Sequence, residues 1–292
     1  MRYFEKHPGI VMVIGILGIS FSSIFIKYST GPSAVTAAWR LIWTVLLMSP
    51  LTFGKKAVRQ ELAALPKKQL GLSMMSGLFL AIHFAFWFES LKQTTVASAS
   101  SIVSTEVIWV SLGYCLVLKG KLSLRAIGSI AVAFVGSLLI AWSDSGTGGS
   151  HLYGDLLALL AALAVAVYVL LGRVVQKPVS PTVYTYVVYS TCALALMGLC
   201  LAQIQPLTGH GPSPIVEGLL LAVFSTILGH SIFSWCLKYF TPSFVSAAKL
   251  MEPVVASILA VFLFGEIPAV LQLLGGGLIL TGLYVYARNE QQ

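Results

Sequence analysis

Residues 98–118, SASSIVSTEVIWVSLGYCLVL, and residues 244–264, FVSAAKLMEPVVASILAVFLF, decide the fold. Each is apolar for long enough to cross a bilayer, at about 20 residues per span. Each also carries a glutamate near its middle, Glu106 and Glu252, and the two lie 146 residues apart. An ionisable group at membrane depth costs roughly 2.5–3.5 kcal/mol on insertion scales, so it marks a functional position. Two at matched places indicate a duplicated membrane protein with a polar site at its midplane, which is how transporters are commonly built.

The rest of the chain has the same character. Of 292 residues, 57% are hydrophobic and 10% charged, and the mean hydropathy is +0.89. Soluble domains carry about 25% charged residues. Windows of about 20 apolar residues fall at 9–27, 32–53, 70–90, 94–118, 123–142, 154–173, 181–203, 215–237, 242–264 and 268–287. The longest loop is about 16 residues, too short for a nucleotide-binding domain, and no phosphate-binding Gly-rich loop occurs. The N-terminus imitates a signal peptide but lacks a small-x-small cleavage site, so it reads as a retained first helix.

The net charge of +8 is a topology signal and gives no reason to expect a nucleic-acid partner. With ten spans both termini share a side. That side holds Arg2, Lys6, Lys55, Lys56, Arg59, Lys67, Lys68, Lys119, Lys121, Arg125, Arg173, Lys177, Lys238 and Arg288, whereas the other holds Lys27 and Lys92. The positive-inside rule then puts both termini in the cytoplasm. Cys115, Cys192, Cys200 and Cys236 sit in apolar stretches at unrelated spacings, which predicts buried thiols with no disulfide framework. No metal motif and no cofactor is expected.

A shift of 146 superposes Leu91-Lys92 on Leu237-Lys238, Ser100 on Ser246, Glu106 on Glu252, Ser111 on Ser257 and Gly136 on Gly282. Span boundaries follow the same shift. The expected organisation is a first five-helix repeat at 1–143, a Ser/Gly-rich linker at 144–153 and a second repeat at 154–292. Five is odd, so the second repeat is inverted, and substrate is expected where the repeats meet. Gly275, Gly276, Gly277 and Gly282 are expected to let the last helix pack closely on a neighbour.

Ala248–Glu266, AKLMEPVVASILAVFLFGE, followed by Leu274–Gly282, LGGGLILTG, resembles the EamA-type repeat of the drug/metabolite transporter superfamily. The likeness lies in the small residues, the mid-helix Glu-Pro, the terminal Gly-Glu and the Gly-rich last helix. Ser98–Leu139 resembles it more weakly, with Val107 in place of Pro, and Gly120-Lys121 in place of Gly-Glu. Glu266 therefore has no counterpart in the first half. The resemblance covers essentially the whole chain. It implies an all-α membrane protein of ten transmembrane helices, arranged as two inverted five-helix repeats around a central cavity. It further implies export of small metabolites such as amino acids. The superfamily's four-helix multidrug members carry an essential Glu in their first helix, and residues 9–26 here hold no ionisable side chain.

Candidate cavity residues follow from depth and charge. Lys249 precedes Glu252 by three residues, one turn away on the same face. The two either neutralise each other or hold a zwitterion between Lys249 and a nearby Glu. Glu106 has no cation within four residues on its own helix and is the candidate proton carrier. Arg40, within about 6 Å of its depth at 1.5 Å per residue, is its expected partner. His83 and Trp87 share a face of span 3, and His230 sits at nearly the corresponding place on span 8. Trp39, Trp109, Tyr168 and Tyr186 lie deeper than an interfacial belt requires and would make an aromatic-lined cavity for an amphipathic substrate. Ser98, Ser100, Ser101, Ser104 and Thr105 make span 4 small and polar, for helix contact or for wetting a pathway.

An intramembrane enzyme is disfavoured. No Gly-x-Ser-x-Gly or His-Glu-x-x-His occurs, and the only aspartates, Asp144 and Asp155, flank one loop. A channel or facilitative uniporter, or an exporter of drugs, remains the alternative to an amino-acid exporter. Placement in a cytoplasmic (inner) membrane and function as a monomer are expected, since both repeats are in one chain.

Overall fold

The computed structural model describes residues 7–94, 96–144, 152–252, 254–255, 258 and 269–290. Pro253, Glu266, the linker residues 145–151 and most of the second half of span 9 lie outside the described residues, as do the side chains of Lys27, Ser98 and Ser101.

The described residues are helical throughout. The first half runs α1 (Pro8–Ile19), α2 (Ser22–Tyr28), α3 (Ser33–Phe53), α4 (Lys56–Ala63), α5 (Lys67–Gln93), α6 (Val96–Val103), α7 (Glu106–Leu116) and α8 (Leu124–Asp144). The second half runs α9 (Leu152–Val175), α10 (Pro181–Ala202), α11 (Ser213–Leu220), a π-helical segment Leu221–His230, α12 (Ser231–Cys236), α13 (Pro242–Ala248), a 3₁₀ turn Lys249–Met251 and α14 (Val270–Glu290). Proline sets several of these starts. Pro8, Pro181 and Pro242 occupy the first helical position, where the missing N–H is no loss. Ser180 and Thr241 cap two of those helices, their hydroxyls accepting from Val183 N and Phe244 N.

Among the described residues, six helical stretches are long and apolar enough to cross a membrane: Pro8–Ile26, Ser33–Phe53, Lys67–Gln93, Leu152–Val175, Pro181–Ala202 and Ser213–Cys236. Large apolar side chains such as Leu47, Leu51, Leu194, Leu273 and Leu274 point outward, a surface suited to lipid and costly in water. Span 4 is not the single helix expected from its hydropathy. It breaks at Ser104–Thr105, where Ser104 Oγ donates to Ser100 O and Thr105 Oγ1 to Ile102 O, both at 2.7 Å. Such hydroxyls compete with the backbone for its own carbonyls. The position 146 residues on, in the second half, is the 3₁₀ turn at Lys249–Met251, so each half interrupts its helix beside its glutamate.

Packing reproduces the repeat. α5 lies along α9, and in the same way the π segment lies along α1. α8 lies along α14 by a reciprocal glycine contact. A Cβ on Gly136 would meet Gly275 O at 2.5 Å, and one on Gly282 would meet Ser129 O at 2.6 Å. The expected close packing of the last helix thus rests on Gly282 and on the backbone at Gly275. Gly277 faces open space, and Gly276 makes only ordinary contacts with Val254. One asymmetry stands out. α9 packs on both α6 and α7, whereas a cleft of about 560 Å³ separates α1 from α13 and α14, lined by Met12, Ile16, Phe244, Met251 and Leu283 among others.

Candidate functional site

At the two breaks, α13 packs directly on α7. There Lys249 Nζ donates to Glu106 Oε1 at 2.8 Å. Both residues are buried, at 9% and 6% exposure. This overturns two expected pairings. Lys249 does not close on Glu252, its neighbour one turn along, and Glu106 does not take Arg40. The lysine's four-carbon stem reaches across the gap between the repeats to the carboxylate facing it. The ion pair therefore joins the first half of the chain to the second.

Arg40 is held elsewhere. α3 packs on α11 and on the π segment, and Arg40 Nε donates to Thr226 Oγ1 at 2.7 Å. The guanidinium carbon lies 4.1 Å from the centroid of the Phe84 ring. The π geometry that presents Thr226 has a local cause. Thr226 Oγ1 donates to Leu221 O, and Ser231 Oγ to Thr226 O, each five residues back. π segments of this kind commonly sit at functional positions.

The histidines complete the cluster. His83 Nδ1 is 2.9 Å from Ala161 O; the carbonyl can only accept, so Nδ1 carries the proton and Nε2 is turned free. The His83 and His230 rings lie 6.3 Å apart, and His230 lies edge-on to Phe84 at 5.3 Å. These side chains surround a cavity of about 50 Å³, whose lining includes Arg40, His83, Trp87, Glu106, His230, Lys249 and Glu252. That is more than the roughly 10–15 Å³ a cavity needs to hold a water.

Seven of the eleven side chains expected at the cavity thus converge. The other four lie outside its lining. Trp39 Nε1 donates to Leu207 O at 2.8 Å, tying α3 to the loop after α10. Trp109 Nε1 bonds Thr105 Oγ1 at 3.2 Å, across the helix break. Tyr186 bonds Ser49 and meets Phe53 edge-on at 5.4 Å. Tyr168 is buried beside His230, with ring centroids 6.1 Å apart, one layer behind the lining. The aromatic lining of the cavity reduces to Trp87 and Phe84; Trp39 is held by a loop carbonyl, Tyr186 by a neighbouring helix and Trp109 by its own span. Sequence reading missed Phe84 and Thr226. Phe84 adjoins His83, and Thr226 precedes His230 by four residues, so their places were readable only once those histidines were known to line the cavity.

A larger cavity of about 730 Å³ opens between α5, α9 and α10, lined largely by apolar residues such as Ala81, Ile82, Leu157 and Leu196. It contains none of the converging charged groups. Among the described residues no cluster of His, Cys, Asp and Glu has the geometry to hold a metal ion.

Two stretches of the chain, residues 8–142 and 152–288, match the model of the EamA-like transporter family. The chain belongs to the EamA-like transporter family. It is therefore a multi-pass membrane transporter with two EamA domains, and the family is not one of enzymes. It is 27% identical to a probable amino-acid metabolite efflux pump of Salmonella typhimurium, over 94% of this chain and 92% of that protein. The corresponding Escherichia coli pump is 25% identical over the same shares. A transporter of Archaeoglobus fulgidus is 24% identical over 85% of this chain and 86% of its own. A solved crystal structure superposes with a TM-score of 0.80 at 16% identity, over 98% of this chain and 99% of that one. That likeness speaks for the fold alone.

Proposed function

We propose that this transporter exports small organic metabolites, amino acids foremost, across a cytoplasmic membrane by alternating access. In this reading ten spans form two inverted five-helix repeats, 1–143 and 154–292, joined by 144–153, with both termini cytoplasmic and the monomer as the working unit. The observation that carries it is the Glu106–Lys249 ion pair, which links the broken fourth span of each repeat across a small polar cavity. Broken helices meeting at a repeat boundary supply polar groups where a bilayer tolerates irregular backbone only around a cavity. Two near-equivalent packings of inverted repeats provide the two access states. The cleft between α1 and α13 has its counterpart filled by α9 against α6 and α7, which fits a molecule caught with one side looser than the other. The amino-acid class draws on the named efflux pumps among its relatives.

The loops leave no place for an ATPase, so transport runs down the substrate's own gradient or is coupled to an ion. Reconstitution into liposomes, with counterflow measured for a panel of labelled amino acids, polyamines and drugs, tests the reading. Saturable, trans-stimulated movement of at least one amino acid is the expected result. Unsaturable flux without trans-stimulation would make the protein a channel, and movement of drugs or polyamines alone would remove the amino-acid class.

A further inference from the structure

The Glu106–Lys249 pair leaves two charged side chains of the cavity unmatched. Arg40 is 0% exposed, and Nε is spent on Thr226, yet neither Nη1 nor Nη2 has a hydrogen-bond partner. A guanidinium presents five N–H donors in a planar fork that fits a carboxylate, so four of the five find no acceptor among the protein's own groups. Buried donors without acceptors are costly. Phe84, its centroid 4.1 Å from the guanidinium carbon, offers these donors no acceptor. Glu252 lines the same cavity, and among the described residues no hydrogen bond or ion pair engages its carboxylate.

Charge balance narrows the ligand. The lining holds two cations, Arg40 and Lys249, and two carboxylates, Glu106 and Glu252; counted with uncharged histidines, its formal charge is zero. An anion or a cation alone would leave one buried charge uncompensated, which is strongly unfavourable. A neutral solute would leave both poles bare. A zwitterion satisfies each pole and leaves the balance unchanged. The small volume requires its opposite charges to be close together.

We propose that Arg40 and Glu252 are the two poles of the substrate site, Arg40 gripping the carboxylate of an α-amino acid through its free Nη groups and Glu252 receiving the ammonium. Lys249, the expected carboxylate anchor, is instead a strut spent on Glu106. The assignment rests on the amino-acid reading above and deepens it.

The test is competition in proteoliposomes. The amino acid of the panel with the fastest counterflow is the labelled substrate; its amide lacks the carboxylate charge, and its deaminated acid lacks the ammonium. Wild-type counterflow is expected to be inhibited at least tenfold more weakly by either analogue than by the amino acid. Arg40→Gln should raise the substrate KM at least tenfold and erase discrimination against the amide while keeping that against the deaminated acid. Arg40→Lys, which keeps the charge and loses the fork, should fall between. Glu252→Gln should show the reverse selectivity. Equal inhibition of the wild type by amide and amino acid overturns the assignment without any variant having to fold. So does an Arg40→Gln protein that still rejects the amide. Counterflow of no amino acid at all is a different failure: it removes the substrate class, and this assignment falls with it.

Discussion

Removing one partner of the cross-repeat ion pair gives the sharpest test of the fold and site together. Glu106 and Lys249 are buried and 2.8 Å apart, in contact across the two halves of the chain. Breaking a buried pair from one side leaves an uncompensated charge and typically costs about 3–5 kcal/mol. Replacing both members by neutral groups of similar volume is often neutral or stabilising. Glu106→Gln and Lys249→Met should therefore each lower stability by about that amount, while the double variant should recover most of the loss. At roughly 2–4 °C per kcal/mol for chains of about this size, each single change should lower Tm by about 6–20 °C. Purified protein in detergent, followed by tryptophan fluorescence on heating, measures this. The double-mutant cycle then yields the coupling directly. Tm losses that simply add in the double variant would refute the pairing, whatever the size of each.

Other expectations follow from single contacts. Gly282→Leu, whose side chain would collide with Ser129 O and Ala133, should cost at least about 1–3 kcal/mol by overpacking, whereas Gly277→Ala, inside α14 and facing open space, should hold or slightly raise Tm through helix propensity; equal Tm values would remove the α8–α14 contact. Trp39→Phe loses a hydrogen bond to Leu207 O and should lower stability by about 0.5–1.5 kcal/mol with the substrate KM unmoved; a large KM change would return Trp39 to the cavity. Single cysteines placed at Gly209 and at Lys121, in an otherwise cysteine-free chain, should react with an impermeant maleimide from outside the cell and only after permeabilisation, respectively. The opposite pattern would invert the topology.

The membrane character was open to sequence reading because it rests on composition alone, and so was the duplication, because two apolar spans with mid-span glutamates 146 residues apart need no tertiary information. Arg40, His83, Trp87, Glu106, His230, Lys249 and Glu252 could be named for the same reason: a polar group at membrane depth is expensive enough to announce itself. What they do to one another could not be read. Hydropathy averages over a span, so it passed over the helix breaks at Ser104–Thr105 and Lys249–Met251 and the π segment that brings Thr226 to Arg40. Aromatic residues were the least legible, since the polar tips of Trp39, Trp109 and Tyr186 are satisfied as well by a loop carbonyl, a hydroxyl of the same span or a neighbouring helix as by a cavity.

By itself, the sequence determined that the chain is a duplicated bundle of apolar helices with a few ionisable groups near the middle of the membrane. Only the tertiary structure decided which charges cancel. Proximity along a helix favoured Lys249 with Glu252, and proximity in depth favoured Arg40 with Glu106. The packing of α13 on α7 gave Lys249 to Glu106. A short-range electrostatic choice between three partners within reach is made by a few ångströms of packing, which no periodicity in the sequence encodes, and that choice leaves Arg40 and Glu252 bare.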